Sequence, residues 1–200
     1  MGKKGDVIMK STIRFAASFP AAALFCSLLL VSCPAALADG PAVGSIFPDI
    51  AFAVPEKAED QRYLKLTGKE TFTVQQIPVP VVIVQIFSMY CPHCQKDAPR
   101  TNELFKKLSD HPKLKDAVRL IGIGVGNSAY EVAFFRKTYN IPFPLLPDGD
   151  FAVHKRIGEV RTPHFIVVKN TPKGPEILYS KSGAIPNLDE FVDWVVRKTE

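Results

Sequence analysis

A run of apolar, largely β-branched residues from Val79 to Phe87 is broken only by Pro80 and Gln85. Only Ser88-Met89-Tyr90 separates it from Cys91-Pro92-His93-Cys94. A run of that kind suits a central strand buried on both faces of a sheet. The segment after the cysteine pair, Gln95 to Leu108, has helical spacing, with Leu104, Phe105 and Leu108 at i, i+1 and i+4, and Pro99 is expected to kink it. The chain therefore builds a strand, a short loop, and a helix that opens on two thiols.

The remaining pattern fits around that unit. Val118 to Val125 reads as the next buried strand and Ser128 to Tyr139 as a helix with Val132, Phe135 and Tyr139 on one stripe. Ile141-Pro142-Phe143-Pro144 reads as extended, Pro147-Asp148-Gly149 as a turn, and Phe151 to Ile157 as a short helix. Phe165 to Val168 and Ile177 to Ser180 read as strands about an Asn170 to Gly174 turn. Leu188 to Arg197 reads as a helix that faces inward through Leu188, Phe191, Val192 and Val195, with Trp194 as packing beside that stripe. Upstream, residues 39–60 are irregular, and Tyr63 to Gly68 with Phe72-Thr73-Val74 are expected to form two short strands about Gly68. Strands alternating with helices, then a hairpin and a last helix, define an α/β three-layer domain with a central mixed sheet.

The first residues have a different character. Lys10 and Arg14 precede an apolar run from Phe15 to Val31, and small residues follow to Ala36-Leu37-Ala38. That order reads as a secretory signal over residues 1–38, with the domain at 39–200. Leu30-Val31-Ser32-Cys33 also resembles a bacterial lipobox, which would lipidate Cys33 and anchor the protein to a membrane. Residues 1–38 hold Lys3, Lys4, Lys10, Arg14 and Asp6, so of 25 basic and 20 acidic groups 21 and 19 remain, a net charge of +2. The basic character lies largely in the signal, and nucleic acid is not implied. With Cys26 and Cys33 removed, only Cys91 and Cys94 remain.

Two thiols so close make a poor staple, because a bridge over so short a loop restrains the unfolded chain little. Zinc needs two more ligands, yet there is no second Cys-x-x-Cys and His111, His154 and His164 are scattered. Haem attachment needs a histidine directly after the second cysteine, where Gln95 stands. Disulfide exchange needs an exposed, ionised thiol beside a second thiol that resolves the mixed disulfide. At a helix N-terminus, unpaired N–H groups and the macrodipole favour an anion on Cys91, and Cys94 lies one turn on. Pro92 suits the first turn, and His93 can add positive charge or a hydrogen bond to the Cys91 thiolate. Cys91 is thus read as the nucleophile and Cys94 as the resolving thiol, with no cofactor and no metal.

Ile86 to Cys94 resembles the active-site segment of thioredoxin-fold proteins, and Cys-Pro-His-Cys resembles the bacterial DsbA type. Arg161-Thr162-Pro163-His164-Phe165 resembles the cis-proline loop of that fold. The resemblance implies a cis Thr162–Pro163 bond packed against Cys91, with Thr162, Pro163 and Tyr90 forming the substrate-binding surface. Tyr130 to Asp150 and Gly44-Ser45-Ile46-Phe47-Pro48-Asp49 resemble the central insertion and N-terminal signature of TlpA/ResA and peroxiredoxin-like redoxins. The likeness spans about residues 43–197 and leaves no room between Cys94 and Thr162 for the helical domain of DsbA proteins. It implies a thioredoxin-like three-layer domain with a redoxin-type N-terminal hairpin and central insertion. One departure matters. Thioredoxins commonly place a buried carboxylate six residues before the first cysteine, where this chain has Gln85, which exchanges no proton near neutral pH. A base for Cys94 must come from elsewhere, from a water or Glu159. His164 is read as a strand residue satisfied within the fold.

The resulting expectation is an exported thiol–disulfide oxidoreductase with protein thiol or disulfide substrates. The scaffold favours a reductase fed by a membrane thiol-transfer partner. The His93 dipeptide favours a DsbA-type oxidant, because stabilising the reduced thiolate raises the potential. A peroxiredoxin is a third reading, although Ser88 stands where its Pro-x-x-x-Thr-x-x-Cys motif has threonine. A copper-binding chaperone is a fourth: such proteins space their cysteines by three residues rather than two, and His164 would have to supply a further ligand.

Overall fold

Seven consecutive residues of β3 (Val81–Phe87) are buried, as an apolar run without polar alternation requires. Val82, Val84 and Ile86 enter one apolar layer, while Val81, Ile83 and Phe87 enter the other. By the same alternation Gln85 shares the second face, the single polar side chain among them. Burying a side chain such as Ile83 or Phe87 contributes roughly 1.5–3 kcal/mol. The computed structural model describes residues 40–66 and 70–199. The signal, its Ala38 cleavage site, the Cys33 lipobox and Gly68 lie outside the described residues.

β3 is the middle strand of a five-stranded sheet ordered β5-β4-β3-β6-β7. It runs parallel to β4 (Val118–Val125), which runs parallel to β5 (Leu145–Asp148). It runs antiparallel to β6 (His164–Thr171), which pairs antiparallel with β7 (Gly174–Ser182). The sheet is therefore mixed. One face packs on α2 (Pro92–Asp110), α3 (Ala129–Thr138) and α5 (Leu188–Thr199), which bury Leu104, Phe135 and Phe191 in that layer. The other packs on α1 (Ala58–Leu64) and α4 (Ala152–Arg156), through Leu64 and Val153. This is an α/β thioredoxin-like fold with a central mixed sheet flanked by helices.

Several elements differ from the sequence reading. Tyr63 and Leu64 close α1 rather than open a strand, and Lys65 ends that helix in the left-handed region. The N-terminal two-stranded sheet exists, but β1 (Phe52–Ala53) supplies the partner of β2 (Thr71–Phe72). Val74 lies in a 3₁₀ turn that Thr73 and Gln76 cap reciprocally. The segment read as an insertion folds as α3 and β5, and β5 adds an edge strand to the main sheet. α2 is one helix with Pro99 inside it, where the missing N–H leaves the Gln95 carbonyl without its usual donor. Trp194 does pack, its ring 5.8 Å from Phe191 and 5.9 Å from Tyr179.

Candidate active site

The carboxyl end of β3 delivers a short loop that two amide side chains hold in place. Asn127, fully buried after β4, accepts the Met89 N–H at 2.8 Å, and Gln95 donates to the Met89 carbonyl at 2.7 Å. Cys91 N–H closes the turn on the Ser88 carbonyl at 3.1 Å. Cys91 is then the N-cap of α2, its sulfur accepting the Cys94 N–H at 3.3 Å, with Pro92 at the first helical position.

The two thiols have opposite environments. Partial burial would raise the Cys91 pKa, but hydrogen bonds from the Cys94 thiol, the Thr162 side chain and the Cys94 and His93 backbone N–H groups outweigh it and hold it below the ordinary value. Burial pushes the Cys94 thiol up to about 12, helped by its hydrogen bond to Cys91. At pH 7 that corresponds to about one Cys94 thiolate in 10⁵ molecules. An ionisable, half-buried sulfur thus sits beside one that holds its proton, which is the asymmetry that attack followed by resolution needs.

The Thr162–Pro163 bond is cis, and the Thr162 carbonyl accepts from the Cys91 thiol at 3.3 Å. Residues 71 positions apart in sequence thereby meet at one sulfur. Tyr90 is 65% exposed, and its hydroxyl donates to Glu131, the carboxylate of the capping box that starts α3. Burial is small there, and the hydrogen bond to Glu131 raises the Tyr90 pKa. Tyr90, Gly126, Phe151, Arg161 and Thr162 line a groove of about 330 Å³ beside Cys91. Phe151 holds a left-handed backbone at φ 61° and its ring covers Gly126, where a Cβ would lie 2.6 Å from it. Asp148 fixes that turn, accepting the Val153 and His154 N–H groups at 2.9 Å each.

Cys91, Cys94, Pro92, Tyr90, Thr162 and Pro163 thus gather in one place. His93 lies on the exposed side of the first turn, and its backbone N–H helps to lower the Cys91 pKa. His164 is fully buried, each ring nitrogen 2.9 Å from a serine hydroxyl, of Ser180 and Ser182. Those contacts make it a satisfied strand residue. Glu159 is exposed and in the left-handed region. Among the described residues no three His, Cys, Asp or Glu side chains converge to hold a metal ion.

Sequence reading missed Asp97. It is buried on α2, where its carboxylate meets the Thr101 hydroxyl at 3.2 Å, and Gln85 donates to that hydroxyl at 3.2 Å. Burial raises the Asp97 pKa, against the lowering effects of Thr101 and Arg100. The signal was present: Asp97 and Thr101 continue the stripe Cys94, Ala98, Leu104, Leu108 as polar residues at apolar positions.

Fold and site together define a thioredoxin-like protein built around a Cys-x-x-Cys pair. The chain belongs to the Redoxin family, whose model matches residues 42–190. No curated protein matches it. Among solved structures it is similar to the thioredoxin domain of a thiol-disulfide oxidoreductase from Bacteroides vulgatus, at 17% identity and TM-score 0.58, covering 78% of this chain and 99% of that one. It is also similar to StoA from Bacillus subtilis, at 21% identity and TM-score 0.51, covering 78% and 99%. A Chlorobium tepidum protein provisionally described as the thiol:disulfide interchange protein DsbE aligns at 13% identity and TM-score 0.60, covering 80% and 99%. At these identities the likeness establishes the fold.

Proposed function

We propose that this Redoxin-family protein is an exported thiol–disulfide oxidoreductase that reduces disulfides in envelope proteins through Cys91 and Cys94. One observation carries the reading: the Cys91 thiol is depressed and the Cys94 thiol raised, at the point where the cis Thr162–Pro163 loop meets the helix. The Cys91 thiolate attacks one sulfur of a substrate disulfide, forming a mixed disulfide and expelling the other substrate sulfur as a thiolate. Cys94 then attacks Cys91, the mixed bond breaks, and the second substrate thiolate leaves. The substrate gains two electrons and the protein keeps a Cys91–Cys94 disulfide. A membrane thiol-transfer partner resets it. The groove lined by Tyr90 and Thr162 receives the substrate chain, with the Thr162 backbone as its strand partner.

Export rests on the residues 1–38 signal, and anchoring on Cys33 of the lipobox. The direction rests on the TlpA/ResA-like scaffold. A DsbA-type oxidant is the second reading, favoured by the same depressed Cys91 thiol, since stabilising the reduced form raises the potential. A redox titration of the Cys91–Cys94 couple separates the two. A potential below about −230 mV supports the reductase, and one well above the glutaredoxin range of about −200 to −230 mV supports the oxidant. Peroxide consumption or stoichiometric copper retained through dialysis would instead support the peroxiredoxin or copper-chaperone reading.

A further inference from the structure

The resolving step has a proton to dispose of. Cys94 is 1% exposed and its thiol is held protonated at neutral pH, so its attack on Cys91 needs a base. Gln85 occupies the place on β3 beneath the helix and accepts no proton near neutral pH. Glu159 is exposed, in the segment that follows α4.

We propose that Asp97 is the proton acceptor for Cys94. The two residues are three apart on α2, on the one stripe that faces the sheet, where Cβ atoms lie about 5–6 Å apart. Among the described residues no direct hydrogen bond joins them, so the proton is relayed by a bridging water. Gln85 and Thr101 hold the carboxylate in position: Gln85 donates to the Thr101 hydroxyl, and the hydroxyl reaches Asp97 Oδ2. Oδ1 has no protein partner among the described residues, which leaves it to take the proton. The charged group near Asp97 is Arg100 on its own helix, itself tied to the Ile185 and Pro186 carbonyls. From β3 the facing polar group is neutral Gln85, and from β6 the layer receives Phe165. The α5 carboxylate Asp189 is engaged by Lys107, ten residues along α2. The carboxylate that thioredoxins hold on the strand has in effect moved to the helix, joined to the old place by Thr101.

In the step, the Cys94 proton passes through the water to Asp97 and the Cys94 sulfur forms its bond to Cys91 Sγ. The Cys91–substrate bond breaks, and the departing thiolate takes a proton back from Asp97 or from solvent. The inference rests on the exchange reading above, and the experiment separates the two. Reduced protein is mixed rapidly with dithiobis(nitrobenzoate), which releases one coloured thiolate when Cys91 attacks and a second when Cys94 resolves. Asp97→Asn is expected to leave the first release within about twofold and to slow the second at least about tenfold at pH 7. The gap should close to within about threefold near pH 10, where hydroxide takes over as base. In the wild type, the second release should fall in acid as Asp97 protonates, an inflection above the ordinary carboxylate range. Slowing by the same factor at every pH, no slowing, or a wild-type second release that does not fall in acid would overturn the assignment. Absence of both releases in the wild type would instead overturn the exchange reading itself.

Discussion

Alkylation of the fully reduced protein with a small excess of iodoacetamide at pH 7 should modify Cys91 and largely spare Cys94. Cys94, at about 12, is ionised to about one part in 10⁵ at that pH. Cys91 lies below 9.0, so at least about one part in 10² is thiolate. Ionisation alone favours Cys91 by about 10³ or more. The more basic thiolate is the better nucleophile, and a Brønsted slope of about 0.4–0.5 over about three pK units returns roughly 15–30-fold. The net preference is at least about 30-fold before the burial of Cys94 is counted. Quenching in acid at early times and weighing the peptides gives the ratio directly. Labelling of Cys94 within about threefold of Cys91 would refute the electrostatic asymmetry on which nucleophile and resolving roles rest.

Three further outcomes follow from named contacts. Asp148→Ala strips one buried and one partly buried N–H group of α4 of their charged acceptor, which costs about 3 kcal/mol; Tm should fall by roughly 6–12 °C, and a change under about 2 °C would contradict the capping role. Asp60→Ala removes the bidentate partner that Arg136 reaches at 2.5 and 2.9 Å, leaving a mostly buried guanidinium, at a cost of about 3 kcal/mol by urea unfolding. Asp97→Asn should melt higher than wild type at pH 7: the folded pKa is raised above 3.8, so folding favours the protonated acid and the carboxylate costs stability above that window. That advantage should shrink as pH falls through the folded pKa, and an Asn variant less stable at pH 7 would mean the Thr101 contact outweighs burial.

Much of the architecture was written in the sequence because apolar runs have few alternatives. β3 and β4 are continuous and β-branched, and α5 repeats its apolar residues at 3.6 spacing, so each appears where the pattern puts it. α1 stayed hidden because Leu64 is its one buried apolar residue, and its docking depends on Asp60 meeting Arg136 from 76 positions away. β5 stayed hidden behind Pro144 and Pro147, which read as breakers yet are tolerated because β5 is an edge strand. The thiols were legible as a spaced pair. Asp97 was legible only through the stripe it shares with Cys94, Thr101 and Leu104, since a single acidic residue inside a helix otherwise reads as a solvated face.

Trapping the mixed disulfide tests the account most directly. Reduced Cys94→Ser protein, mixed with an unfolded polypeptide that carries a disulfide, should accumulate a covalent complex joined through Cys91. The complex should resist denaturant, dissolve in excess dithiothreitol, and be absent for Cys91→Ser. Failure to form it, or equal yield from Cys91→Ser, would contradict the claim that exchange runs through this pair with Cys91 leading.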